Sequence, residues 1–163
     1  MKFAIGDLIV YGETGVCRVE DILEKELLDG PKECYKLMPY YSSCAIFTPT
    51  DNGNVFVRPV VTRDEAENLV GLFRTVDPEI KTASSPRELS EKYDKIIKLH
   101  DCNALVDLVV SIHKKRDTLI AQKKKLSAID ERFLKKAEDL LFGELAAALD
   151  IKKTDVREYI ESK

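Results

Sequence analysis

Apolar and polar residues alternate along the first third of the chain, and this predicts short strands at residues 8–10, 16–28, 33–39, 45–48 and 55–57. No helical periodicity falls between them. Gly6-Asp7 and the Gly12–Gly15 stretch sit where tight or positive-φ backbone is needed to turn the first strand into the second. Asp29-Gly30 reads as a two-residue hairpin turn, and Asp51-Asn52-Gly53-Asn54 as another turn. Short strands joined by tight turns predict a small five-stranded β-barrel of the Tudor or SH3-like kind over residues 1–60.

The pattern changes at Thr62. Thr62-Arg63-Asp64-Glu65 has the spacing of a capping box, and the helix it opens carries Ala66, Leu69, Val70 and Phe73 on one face. With the Thr82-Ala83-Ser84-Ser85 stretch after it, residues 61–83 read as a helix and linker. Ser85-Pro86-Arg87-Glu88 places an N-cap Ser, a Pro at the first helical position and a Glu at the third. Leu89, Tyr93, Ile96, Ile97 and His100 then share a face. A second bundle helix is predicted over 103–125, burying Leu105, Leu108, Val109, Ile112, Leu119 and Ile120. Ser127 and Asp130 open a third, with Ile129, Phe133, Ala137, Leu140, Leu141, Leu145 and Ala148 as its stripe, and a short helix follows over 155–160. The fold class is therefore α+β in two domains, a barrel followed by an all-α bundle over 84–163.

Composition narrows the function. Of 163 residues, 44% are apolar and 34% charged, which supports real cores under a well-solvated surface. No apolar run approaches the ~18–20 residues that span a bilayer, and no signal-peptide pattern follows Lys2, so a cytoplasmic protein without a membrane partner is expected. Cys17, Cys34, Cys44 and Cys102 lack the paired spacing of zinc ligands and read as small buried hydrophobes, with no metal. His100 and His113 fall in helical segments, and no nucleophile elbow, phosphate-binding glycine loop or metalloprotease motif is present. The chain reads as no enzyme, with no cofactor and no small-molecule substrate.

Charge is unevenly spread. Residues 1–83 carry 9 basic and 14 acidic side chains, residues 84–136 carry 13 and 8, and residues 137–163 carry 4 and 7. The basic block comprises Arg87, Lys92, Lys95 and Lys98, then Lys114-Lys115-Arg116 and Lys123-Lys124-Lys125, then Arg132, Lys135 and Lys136. Such cations suit phosphate contact that is largely insensitive to base sequence. The alternative is a protein-interaction adaptor whose basic block is merely solvated. A thiol or metal sensor using Cys17, Cys34 and Cys44 is a third reading.

Phe3, Ile5, Gly6, Asp7, Ile9, Val10 and Tyr11, followed by Gly15-Val16, Val19 and Ile22, resemble the opening motif of the CarD/CdnL family of bacterial transcription regulators. The module also occurs in the transcription–repair coupling factor. Ser90 and Tyr93, Leu126-Ser127 with Asp130-Glu131, and Lys136-Ala137, Leu140-Leu141 and Glu144-Leu145-Ala146 extend the resemblance to the C-terminal half. The resemblance implies a Tudor-like domain bound to the RNA polymerase β-subunit lobe and a helical domain on double-stranded promoter DNA, modulating open-complex stability at the nucleoid. For polymerase docking it points to the middle strands of the barrel, at Lys25, Tyr35, Lys36, Phe47 and Pro49; for DNA, to Arg87, Leu89, Lys92, Lys114, Lys115 and Arg116. The family's minor-groove Trp has no counterpart; Leu89 stands nearest, and reads as partly core with the wedge weakened. Phe47 stands where the family uses an arginine, which implies a more apolar polymerase contact.

Overall fold

The alternating third folds into five strands: β1 (Leu8–Tyr11), β2 (Gly15–Leu27), β3 (Gly30–Pro39), β4 (Ile46–Pro49) and β5 (Val57–Pro59). The computed structural model describes residues 2–163, which form two compact units divided between Val61 and Thr62. In the first unit the hydrogen-bonded order is β4-β3-β2-β1-β5, with every neighbouring pair antiparallel. Ile9, Cys17, Val19, Tyr35 and Leu37 make the core, with Phe3, Tyr11, Ile22, Ile46 and Val57 packed around it.

A bulge sets which residues face inward. Val19 pairs with Leu37 but Asp21 pairs with Lys36, leaving Glu20 as the extra residue. One extra residue inverts the alternation, so Val19 and Ile22, three apart, both reach the core. The β2–β3 turn falls one residue earlier than expected: Leu27 pairs with Gly30, so Leu28-Asp29 is the loop and Gly30 enters β3 at φ +105, a conformation that only glycine takes cheaply. β5 also lies two residues later than expected. It ends on Pro59, tolerated because a proline on an edge strand leaves no inner ladder bond unmade. No ladder joins β4 to β5 among the described residues; a cavity of about 260 Å³ lies in that gap.

The second unit holds α1 (Arg63–Thr75), α2 (Pro86–Ile97), α3 (Cys102–Ala121), α4 (Ala128–Leu149) and α5 (Val156–Glu161). The capping box at α1 is complete: Glu65 N–H donates to Thr62 Oγ1 at 3.2 Å, and Thr62 N–H to Glu65 Oε2 at 2.8 Å. Ser85 and Ser127 cap α2 and α4 in the same way, each accepting from the third helical N–H. The sequence reading separates α1 from the bundle. The structure corrects this, because α1 buries Ala66, Leu69 and Val70 and packs on α3, α4 and α5. Tyr93, Ile97, Val106, Leu108, Ile112, Leu141, Leu145 and Leu149 fill the core. No helix among the described residues is long and apolar enough to cross a membrane.

The thiols divide. Cys17, Cys34 and Cys102 are buried, and burial pushes the Cys17 thiol up to about 11. Cys44 is exposed in the β3–β4 loop, against the expectation of a buried thiol.

Candidate functional site

Strand register sorts the barrel candidates onto two faces. Tyr35 pairs with Thr48 and Lys36 with Phe47, so Tyr35 points inward while Lys36 and Phe47 point out. Tyr35 is 6% exposed, belongs to the core, and its hydroxyl accepts from Phe3 N–H at 3.0 Å. It is therefore a core residue and does not contribute to a docking surface. Lys25, Lys36, Phe47 and Pro49 do come together. The Lys25 ammonium stands 3.6 Å from the centre of the Phe47 ring, which is itself exposed on edge strand β4. Lys36 pairs with Glu20 at 3.4 Å, and Pro49 lies half-buried opposite Cys34. The bulge therefore supplies the carboxylate that steadies Lys36. Beside this face, exposed Tyr40 and Tyr41 meet edge to face at 5.3 Å, with the Arg18 guanidinium 5.8 Å from Tyr40.

The helical candidates divide differently. Leu89 is 8% exposed, packed in the core with Tyr93 and Ile97; it presents no wedge. Lys115 reaches inward to Asp130 Oδ1 at 3.0 Å and to the Lys81 carbonyl at 3.3 Å. Its charge is spent on a buried carboxylate, so it too leaves the surface set. Lys114 binds Asp77 Oδ1 at 2.8 Å and the Pro78 carbonyl at 3.3 Å, and its hydrogen bond and charge hold the exposed Asp77 carboxyl below the usual range. Arg116 Nη1 lies 3.4 Å from His113 Nδ1. The α3 cations thus act largely as clamps within the unit.

Excess positive charge gathers instead where α2 meets α4. Asp94 binds Lys98 at 2.7 Å, and this bond first, then the fields of Lys98, Lys136 and Arg132, hold its carboxyl low. Arg132 also donates to Ser90 Oγ at 3.1 Å. Arg87, Ser90, Glu91, Asp94 and Lys98 follow helical spacing along one face of α2. Arg87 is exposed and, among the described residues, ion-paired only with exposed Glu91, at 3.2 Å. Lys92, by contrast, folds back on the Thr82 carbonyl at 2.6 Å and on Glu88 at 3.7 Å. Lys98, Arg132 and Lys136 were legible as members of a basic block; their convergence across two helices was not. The fields of three cations from two helices thus meet at Asp94, a positive potential suited to anionic groups.

Residues 3–61 match the family model described as the CarD-like/TRCF RID domain, and residues 114–161 match that of the CarD C-terminal domain. The first match covers the barrel unit, and the second runs from Lys114 on α3 through α5.

Proposed function

The chain belongs to the CarD family of transcription-associated, RNA polymerase-interacting proteins, and from that premise we propose that it is a non-catalytic regulator that bridges RNA polymerase and promoter DNA. Its barrel grips the β-subunit lobe of the polymerase with the outer face of β2, β3 and β4. Its helical unit lays Arg87, Lys98, Arg132 and Lys136 along duplex phosphates without reading bases, and the two contacts together shift open-complex stability at the nucleoid. The observation that carries this reading is the Lys25–Phe47 stack on an edge strand. An exposed aromatic at a strand edge, steadied by a cation and flanked by Lys36, is the chemistry of an interface anchor.

Co-purification of the full chain with RNA polymerase tests the docking face. Phe47→Asp places a charge where an apolar anchor is needed, and retention should fall by about tenfold or more. Lys36→Glu should weaken it further. Full retention by both variants would remove β2–β4 as the docking face.

One observation favours the adaptor reading, in which DNA plays no part. Lys114 and Lys115 are neutralised by Asp77 and Asp130, so much of the basic block is already satisfied internally. Absence of duplex binding by the full chain would favour that alternative.

A further inference from the structure

The gap between β4 and β5 opens onto a cavity of about 260 Å³. That exceeds the ~150 Å³ in which a benzene ring can be held. Ile9 and Leu37 lie on its floor, and Phe3, Tyr11 and Tyr35 supply three aromatic rings to its lining. Thr48, Pro49, Thr50, Asp51 and Asn52 form its lip.

Two features distinguish this cavity from an unfilled piece of core. Its lip is held in place: Thr50 N–H donates to the Glu33 carbonyl at 3.0 Å, Thr50 Oγ1 to Glu33 Oε1 at 3.2 Å, and Asn52 Nδ2 to Thr48 Oγ1 at 2.9 Å. Two of its polar side chains are also left open. The Asp51 carboxylate and the Tyr11 hydroxyl have no hydrogen-bond or ion-pair partner among the described residues. Aromatic walls with one unpaired carboxylate at the rim are complementary to an organic cation on an apolar stem. The surrounding unit adds to this, since residues 2–61 carry 6 basic and 9 acidic side chains.

We propose that this cavity receives an arginine side chain presented by a partner polypeptide, with the guanidinium against the aromatic rings and bonded to Asp51 and Tyr11. Guanidinium is favoured over ammonium because it is planar, stacks on rings and is less strongly hydrated, so entry costs it less water. The cavity shares only Pro49, at its lip, with the outward set Lys25, Lys36, Phe47 and Pro49, and the residues assigned to the guanidinium, Asp51 and Tyr11, lie outside that set. This inference therefore stands apart from the docking reading, and either can fail without the other.

Titration of the ¹⁵N-labelled full chain with Nα-acetyl-arginine-N-methylamide, followed by NMR, tests the inference. Saturable shifts should appear at the amides of Gly12, Asp51 and Asn52. Asp51→Asn should weaken binding by about fivefold, the scale of one solvent-accessible ion pair, and Tyr11→Phe should weaken it more modestly while keeping the ring. The matching norleucine derivative has the stem without the charge and should leave these amides unmoved; the lysine derivative should bind more weakly. Absence of saturable shifts, equal binding by norleucine, tighter binding by lysine, or an unchanged affinity in a folded Asp51→Asn variant would each overturn the proposal.

Discussion

Asp130 shows how one residue can be both a motif position and a structural requirement. It is 1% exposed at the third helical position of α4, and accepts from Tyr93 Oη at 2.6 Å, Lys115 Nζ at 3.0 Å and Ser127 Oγ at 2.9 Å. Burial pushes its carboxyl up, but donation from Tyr93, Lys115 and Ser127 outweighs burial and holds it below the usual aspartate range. Burial and the same bond raise Tyr93. Three of the residues that suggest the family in the C-terminal half, Tyr93, Ser127 and Asp130, thus belong with Lys115 to one network that ties α2 to α4 around a buried carboxylate. Asp130→Asn leaves the largely buried Lys115 charge uncompensated and should cost about 3 kcal/mol of unfolding free energy at neutral pH. Tyr93→Phe should cost about 1 kcal/mol. Because the folded carboxyl lies below its unfolded value, its contribution is complete above about pH 4 and is lost as pH falls through the folded value. Urea unfolding of wild type and Asp130→Asn should therefore show a gap that is widest at neutral pH and shrinks as pH falls below the ordinary aspartate range. A gap independent of pH would place the cost in packing instead of charge.

At the level of elements, local chemistry was legible and non-local chemistry was not. Thr62, Ser85 and Ser127 announce helix starts because a cap is made within four residues of sequence. Helix ends were less clear. The predicted α3 ran to residue 125, whereas the helix stops at Ala121. No glycine marks the stop; Lys123 takes φ +59, its N–H donates to the Ile120 carbonyl at 2.9 Å, and Lys124 N–H donates to the Leu119 carbonyl at 2.7 Å. These are the paired bonds of a Schellman motif with a lysine in glycine's usual place. The lysines offset this by facing the negative end of the helix dipole. Lys123→Gly should remove the left-handed strain and raise stability by roughly 0.5–1 kcal/mol, read as a higher urea midpoint. A lower midpoint would mean that the dipole interaction outweighs the strain. The barrel shows the same division: its strands were legible from alternation, but the bulge at Glu20, which brings Ile22 as well as Val19 to the core, depends on pairing between strands.

For the whole molecule the question is where its positive charge can act. A linear count favours Lys114-Lys115-Arg116, three cations in a row. The fold assigns Lys114 and Lys115 to Asp77 and Asp130, and gathers Lys98, Arg132 and Lys136 around Asp94, one helical face along from Arg87. A lysine already sharing a buried carboxylate, as Lys115 does with Asp130, gains little from a phosphate, whereas cations clustered on an exposed face gain by releasing the phosphate's counterions. If Arg87, Lys98, Arg132 and Lys136 act together on duplex DNA, log K should fall against log salt with a slope of about −3.6. Neutralising Arg132→Gln and Lys136→Gln together should reduce that slope to about −1.8, while Lys114→Gln with Lys115→Gln should leave it nearly unchanged and instead destabilise the bundle. The same pair of α2–α4 changes should lower retention on a polymerase–promoter complex more than on polymerase alone, because linked weak contacts raise one another's effective concentration. A salt slope that follows Lys114 and Lys115 would return the interface to α3 and mean that Asp77 and Asp130 release their lysines when DNA is bound.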